Sequence, residues 1–163
     1  MTDEAEPSTD AIRRPWDDLE PGRIMGRGHM AGDFLEAYDW EVQREEPGLL
    51  RVSAHLPAHV RNPRGQLFGG FTPTYVDLIS LFTVRAGRRD EEFFWLATTN
   101  MRIDYFEPIL GPRFVIEGSI EKRRGRTHFA AVRFFVGERH DDLAVFALTT
   151  MREMRTERTL GDA

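Results

Sequence analysis

The segment FTPTYVDLISLFTVRA, residues 71–86, is apolar almost all the way round a helical wheel. Tyr75, Val76, Leu78, Ile79, Leu81, Phe82 and Val84 point in nearly every direction, so a helix built from them has no face to offer to water and must be buried. Pro73 is acceptable only in a first turn, which puts the helix start close to Gly70–Thr72. Gly87 just past the segment, with Arg85 and Arg88 around its end, supplies an ordinary stop. Whatever the remaining residues form has to wrap this helix.

The remainder reads as strands. YDWEVQREE alternates, the Pro47-Gly48 turn follows, and LLRVSAHL continues as a second strand. Beyond the helix come FFWLATTNMRIDYF, rich in aromatic and β-branched residues, then RFVIEGSIEK, THFAAVRFFVG and LAVFALTTMRE. In RFVIEGSIEK, Phe114, Ile116, Gly118 and Ile120 share one face. Arg124-Gly125-Arg126 makes a hairpin turn with glycine at the position needing positive φ. GDFLEAY forms a short helix ahead of the first strand. The order β-β-α-β-β-β-β predicts an α+β domain, a curved antiparallel sheet around one long central helix. We expect a flexible lead-in over residues 1–28, the domain over 29–157 and a short tail over 158–163. The lead-in is acidic, carries Pro7, Pro15 and Pro21 and ends in GRIMGRG, with Trp16 and Met25 able to dock on the body.

Composition removes several chemistries. The chain of 163 residues contains no cysteine, which excludes disulfides, thiolate catalysis and Cys-ligated zinc. Its net charge of −5 argues against a nucleic-acid partner. No apolar run approaches the roughly 20 residues of a membrane span, and residues 1–16 lack a signal core, so no membrane partner and a cytoplasmic location are expected. His29, His55, His59, His128 and His140 show no metal-ligand spacing, and no metal is expected. A Gly-x-Ser-x-Gly elbow, a phosphate loop and a dinucleotide fingerprint are all absent from the sequence.

One residue is out of place in the oily helix: Asp77, a turn inside its start. A carboxylate there needs compensation. A structural reading gives it a hydrogen bond to Thr74 or Ser80, or the helix dipole; a functional reading makes it the nucleophile or general base of a pocket. The preceding loop, Asn62-Pro63-Arg64-Gly65-Gln66-Leu67-Phe68-Gly69-Gly70, ends in consecutive glycines that leave backbone N–H groups approachable at a helix start. Such donors suit an oxyanion.

The pattern Asn-x-x-Gly-x-x-x-Gly-Gly-x-x-x-x-x-x-Asp, between a strand and a buried helix, resembles the hotdog-fold acyl-CoA thioesterases of the phenylacetate-pathway type. The resemblance extends from about Gly32 to Arg155 and includes GDFLEAYDWEV and NMRIDYFEP. It implies a hotdog fold and hydrolysis of an acyl-CoA thioester, with no cofactor beyond the coenzyme A of the substrate. It implies that Asp77 is the catalytic carboxylate, that a Gly69 N–H polarises the thioester carbonyl, and that Asn62 and Thr98 position carbonyl and water. It also implies a homodimer or homotetramer whose sites lie between subunits, the carboxylate from one and the loop from the other. Where the family usually has His-Gly-Gly, this chain has Phe68-Gly69-Gly70, giving a more apolar rim. A non-catalytic acyl-CoA-binding module on the same fold is the alternative, and a hydratase is disfavoured because no histidine lies between His59 and His128.

The dense basic run Lys122-Arg123-Arg124-Gly125-Arg126 is either a solvated hairpin end or a contact for coenzyme A phosphates, for which guanidinium forks are suited. Arg124 and Arg126, together with Arg64, Phe68 and Gly70 of the loop, are the expected substrate-binding residues. An acyl pocket is expected from Tyr75, Phe82, Phe94 and residues of a partner subunit. Phe129, Phe135 and Phe146 lie along an outward strand face.

Overall fold

The structure, a computed structural model, describes residues 20–27, 30–88, 94–137 and 142–154. The expected tail and most of the expected lead-in lie outside them. A short helix α1 (Met30–Phe34) and a 3-10 turn (Ala37–Asp39) precede β1 (Glu41–Glu46) and β2 (Leu49–His55). A second 3-10 turn (Ala58–Val60) leads to the long helix α2 (Thr72–Arg85). Then follow β3 (Leu96–Tyr105), β4 (Arg113–Arg124), β5 (Thr127–Val136) and β6 (Leu143–Glu153). The six strands form one sheet in the order β1-β2-β4-β5-β6-β3, with every pairing antiparallel. Together with α2 this is the hotdog fold, as expected.

Inward and outward faces follow from the register. Leu50, Gly118, Val132 and Ala147 form one row beneath the helix, and Val52, Ile116, Phe134 and Val145 form the next. Nearly all are fully buried. The helix lies close to β4 because Gly118 has no side chain. A Cβ there would come within 2.0 Å of Thr83 Oγ1 and 3.0 Å of Ile79 Cγ2. The turn glycines behave as the sequence requires, with Gly48 at φ 77° and Gly125 at φ 56°.

Two readings of the sequence change here. Residues 20–27, expected within a loose lead-in, are packed: Ile24 and Met25 are buried, and Gly22 accepts a backbone hydrogen bond from Val42 at 2.9 Å. Tyr75, expected in a pocket, is core. It stacks on Trp40 at 5.4 Å and meets Phe114 edge-on at 5.6 Å, and both aromatics are fully buried. Among the described residues, no helix is long and apolar enough to cross a membrane.

Candidate functional site

Asp77 sits where α2 faces β3, only partly buried. Its carboxylate oxygen Oδ1 accepts a hydrogen bond from the Thr98 hydroxyl. Of the partners the structural reading offered, Thr74 and Ser80, neither makes the bond shown to Asp77; Ser80 accepts a buried hydrogen bond from Thr149 at 2.9 Å. Thr98 reaches Asp77 through an irregularity. The β3–β6 register slips between Thr98 and Asn100, so Thr99 is an extra residue in β3. Without that bulge, Thr98 and Met101 would lie on opposite faces. With it, Thr98 meets the helix while Met101 and Ile103 pack against the core.

The loop before α2 is a tight hairpin-like turn. Asn62 donates its backbone N–H to Gln66 at 2.7 Å, and its side-chain oxygen accepts N–H bonds from Arg64 at 2.9 Å and Gln66 at 3.1 Å. Its side-chain amide donates to Gln66 Oε1 at 3.0 Å. Gly65, at φ 75°, closes the turn. The Asn62 side chain is thus engaged in organising this loop. Arg64 is exposed at the turn, and Arg61 turns back to the Leu56 carbonyl at 2.6 Å.

Helix α2 starts without a side-chain cap, with Phe71 at the N-cap. The N–H groups of Gly69 and Gly70 have no acceptor among the described residues and lie exposed. Neither glycine has positive φ. A Cβ on Gly69 would meet only Tyr105, at 3.7 Å, an ordinary contact. Among the described residues nothing therefore demands glycine at 69, and its bareness leaves the backbone open to something approaching from outside. The Phe68 ring folds over Gly70, where a Cβ would come within 2.6 Å of it, and packs edge-on against Phe71 at 5.8 Å. At 51% exposed, Phe68 forms an apolar rim to the loop.

On the β3 side, Tyr105 donates its hydroxyl to the Gly69 carbonyl at 2.9 Å. An open pocket of about 320 Å³ adjoins this contact, lined by Leu67, Gly69, Thr72, Tyr105, Ile109 and Val145 among others. Nothing in the periodicity of NMRIDYFEP singled out Tyr105. The signal available was its place at the last inward position of an edge strand.

The two groups of site residues stand apart within one chain. From the helix start at Thr72 to Asp77 the axis rises about 7.5 Å, and Gly69 lies three residues before that start. Both could touch one carbonyl group only across about 6 Å. Along β3, their partners Tyr105 and Thr98 are six ladder steps apart once the bulge at Thr99 is discounted, about 20 Å. The Arg124–Arg126 hairpin lies at the Thr98 end of the sheet, since Arg124 pairs with Thr127, Thr127 with Arg152 and Arg152 with Ala97. Arg124 and Arg126 are exposed there.

Residues 64–142 match the family model described as the thioesterase superfamily. No curated protein matches the chain in sequence. Among solved structures, a thioesterase from Haemophilus influenzae superposes with a TM-score of 0.67 at 11% identity, over 82% of this chain and 88% of that one. A phenylacetic acid degradation-related protein from Ralstonia eutropha gives 0.61 at 17% identity, over 74% and 87%. A Streptococcus mutans protein bound to acetyl CoA gives 0.59 at 21% identity, over 71% and 89%.

Proposed function

We propose that this chain, whose residues 64–142 match the thioesterase superfamily model, hydrolyses an acyl-CoA thioester to a free acid and coenzyme A. The observation that carries this reading is the Asp77 carboxylate, set in an otherwise apolar helix and held by a hydroxyl from the edge strand. A core has no use for such a group, whereas attack on a carbonyl or activation of water does. The acetyl CoA bound to the Streptococcus mutans neighbour supports a coenzyme A thioester as the substrate class.

The site is completed by a second copy. Among the described residues, β3 ends the sheet with a free edge. Pairing that edge antiparallel with its copy, about a two-fold axis at Arg102 and with Thr99 as the extra residue of the bulge, sets Thr98 opposite Tyr105 of the other copy. Asp77 of one chain then faces the Gly69 loop of its partner. The same pairing brings Arg124 and Arg126 of one chain to the side of Arg64 and Phe68 of the other, where the phosphates and the apolar portion of the substrate would lie.

In this arrangement Asp77 attacks the thioester carbonyl carbon, or takes a proton from a water that does. The glycine N–H groups stabilise the oxyanion. The tetrahedral intermediate collapses with loss of coenzyme A thiolate, which takes up a proton. If Asp77 is the nucleophile, water then cleaves the mixed anhydride and restores the carboxylate, and a burst of free thiol precedes steady turnover. Thr98 keeps the carboxylate oriented. Asn62 acts by shaping the loop, with its substrate contact made from the partner's loop. As drawn, the reaction takes no metal or redox cofactor.

The test is a panel of short, medium, long-chain and aryl acyl-CoAs with wild type and Asp77→Ala. Wild type should hydrolyse at least one, and Asp77→Ala should lose about 1,000-fold in kcat, near 4 kcal/mol of barrier. Binding of acyl-CoA without turnover would mark a non-catalytic module. A stable monomer on sizing would rule out the shared site.

A further inference from the structure

We infer that Tyr105 is a positioning residue for the oxyanion donors, acting through the Gly69–Gly70 peptide. This rests on the thioesterase reading above and adds to it the group that sets the donors in place. Tyr105 is the last residue of β3, 53% exposed, and its hydroxyl donates to the Gly69 carbonyl at 2.9 Å.

A peptide group is planar and trans, so its C=O and N–H point in opposite directions. Holding the Gly69 carbonyl toward β3 therefore aims the Gly70 N–H away from it. The carbonyl of Gly69 and the N–H of Gly70 belong to one amide, and an amide that accepts a hydrogen bond is polarised into a stronger donor. Tyr105 thus acts twice: it sets the plane of the peptide and strengthens the N–H on its far side. The loop needs such an anchor. Its two glycines carry no side chains of their own to fix it, their N–H groups have no acceptor among the described residues, and the helix start has no side-chain cap.

The contact is not a core contact. The ring of Tyr105 borders the open pocket beside Thr72 and Ile109, and its closest approach to a Cβ at 69 would be 3.7 Å. Packing alone gives no reason for the hydroxyl. β3 consequently carries both supports of the proposed site, Thr98 for the carboxylate and Tyr105 for the glycine peptide. Because Asp77 of one chain faces the Gly69 loop of the other, the pairing of the two β3 edges sets the spacing between the two.

The experiment compares wild type with Tyr105→Phe, which keeps the ring and removes the donor. Steady-state hydrolysis is measured on the best substrate of the acyl-CoA panel, alongside melting temperature and the 15N order parameter of Gly70. We expect kcat to fall about tenfold or more, with KM within about twofold and melting within about 2 °C. The Gly70 order parameter should drop from about 0.85 towards 0.6. An unchanged kcat, or a raised KM with kcat intact, overturns the proposal. So does a Gly70 amide as rigid as in wild type. If wild type hydrolyses no thioester, it is the thioesterase reading that fails, and the order parameter alone still decides whether Tyr105 fixes the peptide.

Discussion

Helix α2 has two unlike sides. Towards β2, β4 and β5 it meets a sealed aromatic stack: Trp40 on Tyr75, Tyr75 edge-on to Phe114, and Phe114 parallel to Phe134 at 6.0 Å. Towards β3 and β6 it meets hydroxyls, with Ser80 bonded to Thr149 and Asp77 to Thr98. The same run of apolar residues thus serves two purposes, and the strand opposite decides which. The sealed side lies in the middle of the sheet, where both neighbours of a strand are present. The polar side lies beside the free edge, where a second copy can add what one chain lacks. Stability and chemistry are divided across the width of one helix.

That division is broken most directly by a crossed pair of substitutions. Asp77→Ala on the polar side should remove activity by about 1,000-fold while leaving melting nearly untouched, since it deletes a partly buried charge. Phe134→Ala on the sealed side removes a fully buried ring in contact with Phe114 and Tyr75. It should cost about 3–5 kcal/mol of stability and lower melting by about 10 °C or more. Calorimetry and kinetics on both variants check the pair. A Phe134→Ala protein that melts like wild type would show that the aromatic stack is not the main anchor of the helix.

A milder test concerns how closely the helix approaches. Gly118→Ala places a methyl group where Thr83 Oγ1 and Ile79 Cγ2 already are. Thr83 is itself buried and bonded to the Ile79 carbonyl at 2.7 Å, so it has little room to turn aside. Denaturant unfolding should show a loss of about 1–3 kcal/mol from overpacking. Adding Thr83→Ala to that variant should restore part of it, because the deeper of the two collisions disappears.

Much of this was legible in the residues and some was not, for physical reasons. The buried helix follows from its lack of a polar face, and the strand order from alternation with turn glycines at 48 and 125. The Asp77 anomaly stood out because a carboxylate contrasts with everything near it. Its partner could be named only by resemblance, since the bulge at Thr99 breaks the period-two rule by which faces are read. Tyr105 stayed hidden because its role depends on a carbonyl 36 residues away in sequence. Asn62 was placed in the loop, yet the closed set of bonds it makes to Arg64 and Gln66 depends on the backbone path of the turn. Tyr75 could not be assigned to core or pocket from its position on an all-apolar helix. Trp40, more than thirty residues earlier, decides it.

Tyr75 also supplies the smallest expected effect on the sealed side. Its hydroxyl is buried without a partner among the described residues. Burial, aided by the nearby charge of Glu36, pushes its ionisation well above the ordinary tyrosine range. Tyr75→Phe keeps the ring in its stack and removes the unmatched hydroxyl, so it should gain up to about 1 kcal/mol at neutral pH. The sign of the pH dependence follows from which state ionises first. Above about pH 10 the unfolded chain releases the phenol proton while the folded chain holds it. Stability of the wild type is therefore lost through this group as pH rises past 10, and the phenylalanine variant is spared. Unfolding midpoints in urea, measured from pH 8 to pH 11, should show the advantage of Tyr75→Phe widening with alkalinity. A constant difference would mean that the hydroxyl titrates alike in both states, and that the sealed side admits water.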